Sequence, residues 1–280
     1  MNRIIDILKE ISIKPIKYEK RGKVTIINTK DKKYVIKENN NKDIYEYLKS
    51  RSFNYFPNTK IIDNYEISEY IDDVITPKEQ KINDMIILVS LLHSKTSYIK
   101  EIDNDEYKKI YEDLMNNIEY LYSYYVDVIT LIESRVYMSP SEYLLARNIT
   151  KVFIRLDKLK LEVDEWYKLV ENKTKIRNSI LHNNLELDHF IRNKDSYLIS
   201  WDKVKQDMPI FDLYKFYKKN NLTNIDDILK TYEDIYPLLE DEKKLLYILV
   251  RMPDIIEFNS SEYNNTINVR KMLNSMNELP

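Results

Sequence analysis

The chain has 280 residues, 43% hydrophobic and 32% charged, with a formal charge of -2. That is long enough for one large domain or two lobes, and the balanced charge gives no reason to expect nucleic acid or an anionic membrane as partner. There is no cysteine, which excludes disulfides, thiolate metal sites and cysteine nucleophiles, and the single glycine, Gly22, excludes a Walker loop or dinucleotide fingerprint.

The opening segment, MNRIIDILKEISIKP, lacks the apolar core and cleavage site of a signal peptide, and the apolar run Met85–Leu92 is too short to span a bilayer. A cytoplasmic location is expected. Residues 2–11 carry Ile4, Ile5, Leu8 and Ile11 on one side of a helix. Strands follow at 16–19, 24–28 and 34–37, separated by turns at Arg21-Gly22 and at 30–32. Residues 42–51 form a helix, and 59–62 and 65–71 are two further strands.

After Asp73 the pattern becomes helical. Pro77 opens a helix over 78–95, and a tyrosine-rich helix covers 105–135. The stretch Tyr120–Tyr125 reads as a buried face, with a partner surface as the alternative. Ser139, Pro140 and Glu142 form a capping-box signature for a helix running to about Asn172. Its apolar residues Leu145, Ile149, Val152, Leu156, Leu159, Val163, Trp166 and Val170 keep helical spacing. Short strands at 190–191 and 197–201 precede helices at 211–219, 224–234, 239–250 and 263–276. The expected class is α+β and bilobal: a sheet-rich lobe over 1–72 and a helical lobe over 73–280.

Four local features carry more. They are YVIK ending at Lys37, Glu46 on the following helix, LHNNLELDHFI over 181–191, and YLISWDKV over 197–204 followed by MPIFDLYKF. In this order they resemble the aminoglycoside and choline phosphotransferase superfamily, with a particular likeness to the spore-coat kinase-like proteins of Firmicutes. The resemblance covers almost the whole chain and implies a protein-kinase-like fold. It also implies that Lys37 holds nucleotide phosphates, with Glu46 as its helix partner. The segment Glu69-Tyr70-Ile71 would be the hinge that meets an adenine ring through its backbone.

Phosphoryl transfer requires a carboxylate near the acceptor hydroxyl and oxygen ligands for Mg²⁺. In the pattern that the superfamily implies, His182 keeps the loop histidine, but Asn184 occupies the acid position and His189 the metal-binding Asn position. Ser200 stands where the next strand would offer a metal-binding Asp. Asn cannot accept a proton as a carboxylate does, and losing a positioned base costs about 10²–10⁴ in rate. Neutral imidazole is a poor Mg²⁺ ligand. Trp201 keeps the aromatic position, and Asp212 the aspartate that supports the loop through its backbone.

Three readings follow. The first is a pseudokinase acting as a binding or scaffold module, with residual nucleotide binding and an unidentified protein or small-molecule partner. The second is an atypical ATP-dependent phosphotransferase that uses displaced carboxylates: Glu186 as base, with Asp188 or Asp202 at a Mg²⁺ ion. The third is a structural, spore-associated protein. The histidines His93, His182 and His189 do not make a metal site by spacing. No Gly-x-Ser-x-Gly elbow is present, so a serine hydrolase is not expected.

Overall fold

A computed structural model describes residues 2–39, 43–220, 222 and 225–277. Lys42 and Asn224, the first residues of two predicted helices, lie outside the described residues. The order is α1 (Asn2–Glu10), β1 (Lys17–Arg21), β2 (Val24–Asn28), β3 (Lys33–Glu38), α2 (Ile44–Ser50), β4 (Thr59–Ile62), β5 (Tyr65–Glu69), α3 (Lys78–Thr96), β6 (Tyr98–Glu101), α4 (Asn104–Glu133) and α5 (Pro140–Val170). Then come β7 (Lys175–Leu181), β8 (Phe190–Arg192), β9 (Ser196–Leu198), β10 (Lys205–Asp207), α6 (Ile210–Lys219), α7 (Ile225–Glu233), α8 (Glu240–Arg251) and α9 (Glu262–Asn277). Turns of 3-10 helix lie at Leu187–His189 and Trp201–Lys203.

The chain divides into two units. The first comprises Met1–Tyr98, Ser179–Asp212 and Ile228–Pro237. Its antiparallel sheet has the order β1-β2-β3-β5-β4. Pairing sets alternate residues on opposite faces. Tyr18 faces Ile27, Ile27 faces Tyr34, Ile36 faces Ile67, and Ile62 faces Tyr65. These residues share one face, and Ile7 and Leu8 of α1 pack on it to form a core cluster. Lys37 and Glu66, the next pair in the β3–β5 register, therefore project from the other face. At the β1–β2 turn, Arg21 faces Val24, leaving Gly22 and Lys23 to close the hairpin with Gly22 at φ 58°.

The second unit comprises Ile99–Asn178, Leu213–Asp227 and Leu238–Pro280. Helix α5 buries Leu145, Val152, Leu156, Leu159, Val163, Trp166 and Val170 on one face. The Ser139 hydroxyl accepts from the Glu142 N–H, and the Glu142 carboxylate accepts from the Ser139 N–H, completing the capping box. The Trp166 indole donates to Asp241 O at 3.1 Å, and the Arg177 guanidinium grips the Glu242 carboxylate. In the tyrosine-rich part of α4, Tyr125 is fully buried whereas Tyr120 and Tyr122 are exposed, so this stretch is not a continuous buried face.

Two local expectations need correction. No strand is expected at β7, whose pattern KIRNSIL mixes charge into a strand that pairs with β10. The predicted strand over 197–201 stops at Leu198. Ser200 adopts a left-handed backbone (φ 68°, ψ 52°), which no strand accommodates, and Trp201 begins a 3-10 turn instead. No helix among the described residues is long and apolar enough to cross a membrane.

Candidate functional site

The candidate site residues, from Lys37 to Asp212, all belong to the first unit. Lys37 ends the run of apolar residues in β3. Its Nζ lies 3.4 Å from Glu66 Oε2 and 3.6 Å from Asp202 Oδ1. The nitrogen is buried, yet neither contact has hydrogen-bond geometry. The amine is thus held by charge while its three N–H donors stay uncommitted.

The carboxylate beside Lys37 is Glu66, not Glu46. Glu46 is exposed on α2, because the helix turns Ile44, Tyr45 and Leu48 inward. Glu66 is 4% exposed, and Asn39 Nδ2 donates to its Oε2 at 2.6 Å. The buried Tyr45 hydroxyl lies close to Glu66; burial raises the tyrosine pKa, and the Glu66 charge adds to that. Helix α2 therefore reaches this cluster through a phenol.

The loop after β7 is organised by Asp212. Its Oδ2 accepts from the His182 N–H at 2.7 Å and its Oδ1 from the Asn183 N–H at 2.8 Å. These bonds hold Asn183 in a left-handed conformation (φ 58°) that Asn tolerates. His93 Nε2 lies 3.3 Å from Asp212 Oδ2, and His93 Nδ1 lies 2.7 Å from the Tyr232 hydroxyl. Asp212 is the buried hub of this network.

His182 is fully buried. Ile199 O lies 2.9 Å from Nε2, and a carbonyl only accepts, so Nε2 carries the proton. Nδ1 is buried without a hydrogen-bond partner. Burial holds the imidazole pKa down at about 4, against the opposing pull of the Asp212 charge. The ring packs edge-on to Trp201 at 4.7 Å, and Trp201 in turn meets Phe53 and Phe56. The Trp201 indole donates to Leu198 O, closing the turn at Ser200.

Asn184 is nearly buried, with its Oδ1 3.4 Å from Lys203 Nζ. Its carbonyl accepts from His189 Nδ1 at 2.7 Å, which commits that imidazole nitrogen to the loop. Asp188 is exposed. Asp202 comes to Lys37 because the left-handed Ser200 and the following 3-10 turn redirect the chain. Glu69 pairs with Lys32 at 2.6 Å; the Glu69 and Tyr70 amides donate to Asn58 O and Lys33 O within the sheet, and Ile71 follows the end of β5.

These groups do not fit Mg²⁺. Ser200, His189 and Asp202 bring one carboxylate, one hydroxyl and an imidazole already hydrogen-bonded through Nδ1, whereas Mg²⁺ favours an octahedral set of oxygens. Among the described residues, no cluster of three or more His, Asp or Glu side chains is arranged to hold a metal ion.

Sequence reasoning missed Glu66 and Lys203. In the mixed pattern YEISE of β5, Glu66 gives no distinct signal, and its partner emerges only from the β3–β5 register.

No protein-family model and no curated protein sequence matches the chain. Solved structures do match. Aminoglycoside phosphotransferase from Alicyclobacillus acidocaldarius aligns at TM-score 0.68 and 8% identity, over 94% of this chain and 89% of that one. The AMP-bound complex of spectinomycin phosphotransferase aligns at 0.57 and 13%, over 99% and 97%. Choline kinase LicA from Streptococcus pneumoniae aligns at 0.51 and 16%, over 99% and 98%. The chain thus has the α+β, protein-kinase-like fold of aminoglycoside phosphotransferases and choline kinases. At these identities the likeness defines the fold and not the reaction.

Proposed function

We propose that this protein is a pseudokinase: it binds a nucleoside phosphate at Lys37 as a binding or scaffold module and is impaired in phosphoryl transfer. The observation that carries the reading is the Lys37 amine, buried between two carboxylates with its hydrogen-bond donors uncommitted. Such an ammonium suits phosphate oxygens, which form short charge-assisted bonds. Solved structures sharing the fold include LicA in complex with AMP and spectinomycin phosphotransferase in complex with ADP and spectinomycin. The impairment follows from Asn184, whose amide has no basic lone pair for the acceptor proton.

One observation favours a second reading. Asp202 stands beside Lys37, so a Mg²⁺ brought in by the nucleotide itself would find one carboxylate there. Thermal unfolding with ATP or ADP, each with and without Mg²⁺, separates the readings. Ligand at 100 times its dissociation constant adds about 2.7 kcal/mol to native stability. Stabilisation by ATP without metal, lost in Lys37→Ala, supports the pseudokinase. Stabilisation that requires Mg²⁺ and disappears in Asp202→Ala supports an atypical phosphotransferase. Absence of any shift at millimolar nucleotide overturns both and leaves a structural role.

A further inference from the structure

We propose that Glu66 is the positioning residue for Lys37, fixing the amine for phosphate in the role that the sequence pattern gave to Glu46; this rests on the nucleotide-binding reading above. Two carboxylates flank the amine, and they differ in freedom. Asp202 is 43% exposed on a short 3-10 turn. Glu66 is directly cross-strand from Lys37 and almost wholly buried, with a hydrogen bond from Asn39 and the Tyr45 hydroxyl close by. A buried carboxylate fixed by strand register and the Asn39 donor has little room to move, so it sets where the ammonium sits. The exposed Asp202 can swing into water when phosphate arrives.

Loss of the Glu66 charge leaves Asp202 as the remaining carboxylate at the amine. The ammonium then turns to Asp202, away from phosphate. Helix α2 acts on the lysine indirectly, through the Tyr45 hydroxyl on Glu66, while Glu46 faces solvent. The chain has therefore moved the lysine's counter-charge from the helix into the sheet.

The test measures ATP and adenosine affinities by calorimetry for the wild-type chain, Glu66→Gln, Tyr45→Phe and Glu46→Gln. Glu66→Gln keeps the side-chain shape and an acceptor for Asn39, and is expected to weaken ATP about tenfold. Tyr45→Phe keeps the Glu66 charge and removes one restraint, with an expected loss of about threefold. Adenosine, which lacks phosphate, keeps its affinity in both, and Glu46→Gln changes neither ligand. Retained ATP affinity in Glu66→Gln, an equal loss for ATP and adenosine, or an equal effect of Glu46→Gln overturns the assignment. If Glu66→Gln fails to fold, Tyr45→Phe decides by the same criteria. A wild-type chain that binds no ATP overturns the nucleotide reading itself, and with it the role of Glu66.

Discussion

Lys37 and Glu66 oppose each other across β3 and β5, with Nζ 3.4 Å from Oε2 and both side chains largely shielded from water. Removing one member of such a pair strands the other charge in a poorly solvated place. Lys37→Met is therefore expected to lower stability by about 3 kcal/mol. Lys37→Met combined with Glu66→Gln should recover most of that loss, because no buried charge is left alone. Urea unfolding of the two single variants and the double variant measures the coupling. Additive losses would show that the two side chains do not act as a pair.

Asp212 organises the loop through backbone groups, so its effect should be local as well as global. Asp212→Ala leaves the His182 and Asn183 amides without their acceptor and removes the partner of His93 Nε2. A loss of about 3 kcal/mol is expected from these buried donors. Hydrogen exchange should speed up first at His182 and Asn183. Unchanged exchange there would mean that the loop is held by other contacts.

The pH dependence follows from His182. Its folded pKa, about 4, lies below the ordinary 6.5 because burial opposes charging. The unfolded chain then binds more protons than the folded one between these values. Stability is full above about pH 6.5 and falls as pH drops towards 4, by about 3 kcal/mol in all. Urea midpoints at pH 7 and pH 4.5 test this, with His182→Gln expected to flatten the dependence. An equally steep fall in that variant would place the titration elsewhere.

At the start of α5, the Ser139 hydroxyl accepts from the Glu142 N–H. Ser139→Ala removes that acceptor and should cost about 1 kcal/mol. Ser139→Asp retains an acceptor at the cap and should keep most of the stability. Thermal unfolding of both variants measures the difference.

What the sequence revealed and what it concealed divide along the range of the interactions involved. The capping box of Ser139 and Glu142, the Gly22 turn and the apolar spacing of α5 depend on residues a few positions apart, and all are visible in the chain. The order of Lys37, the His182 loop and Trp201 also points to the fold, through its resemblance to the aminoglycoside and choline phosphotransferase superfamily. Pairings across elements were not legible. Glu46 and Glu66 look equally suited to Lys37 as letters. The choice between them was made by the β3–β5 register, which sets Glu66 opposite the lysine, and by the packing of α2, which turns Tyr45 inward and Glu46 out. Likewise, Asp202 reaches Lys37 because a left-handed Ser200 ends β9 and starts a new turn. Local sequence fixes where helices and turns begin, through bonds within a few residues. Which charges meet in the site depends on strand register and on backbone reversals, and only the folded chain determines those.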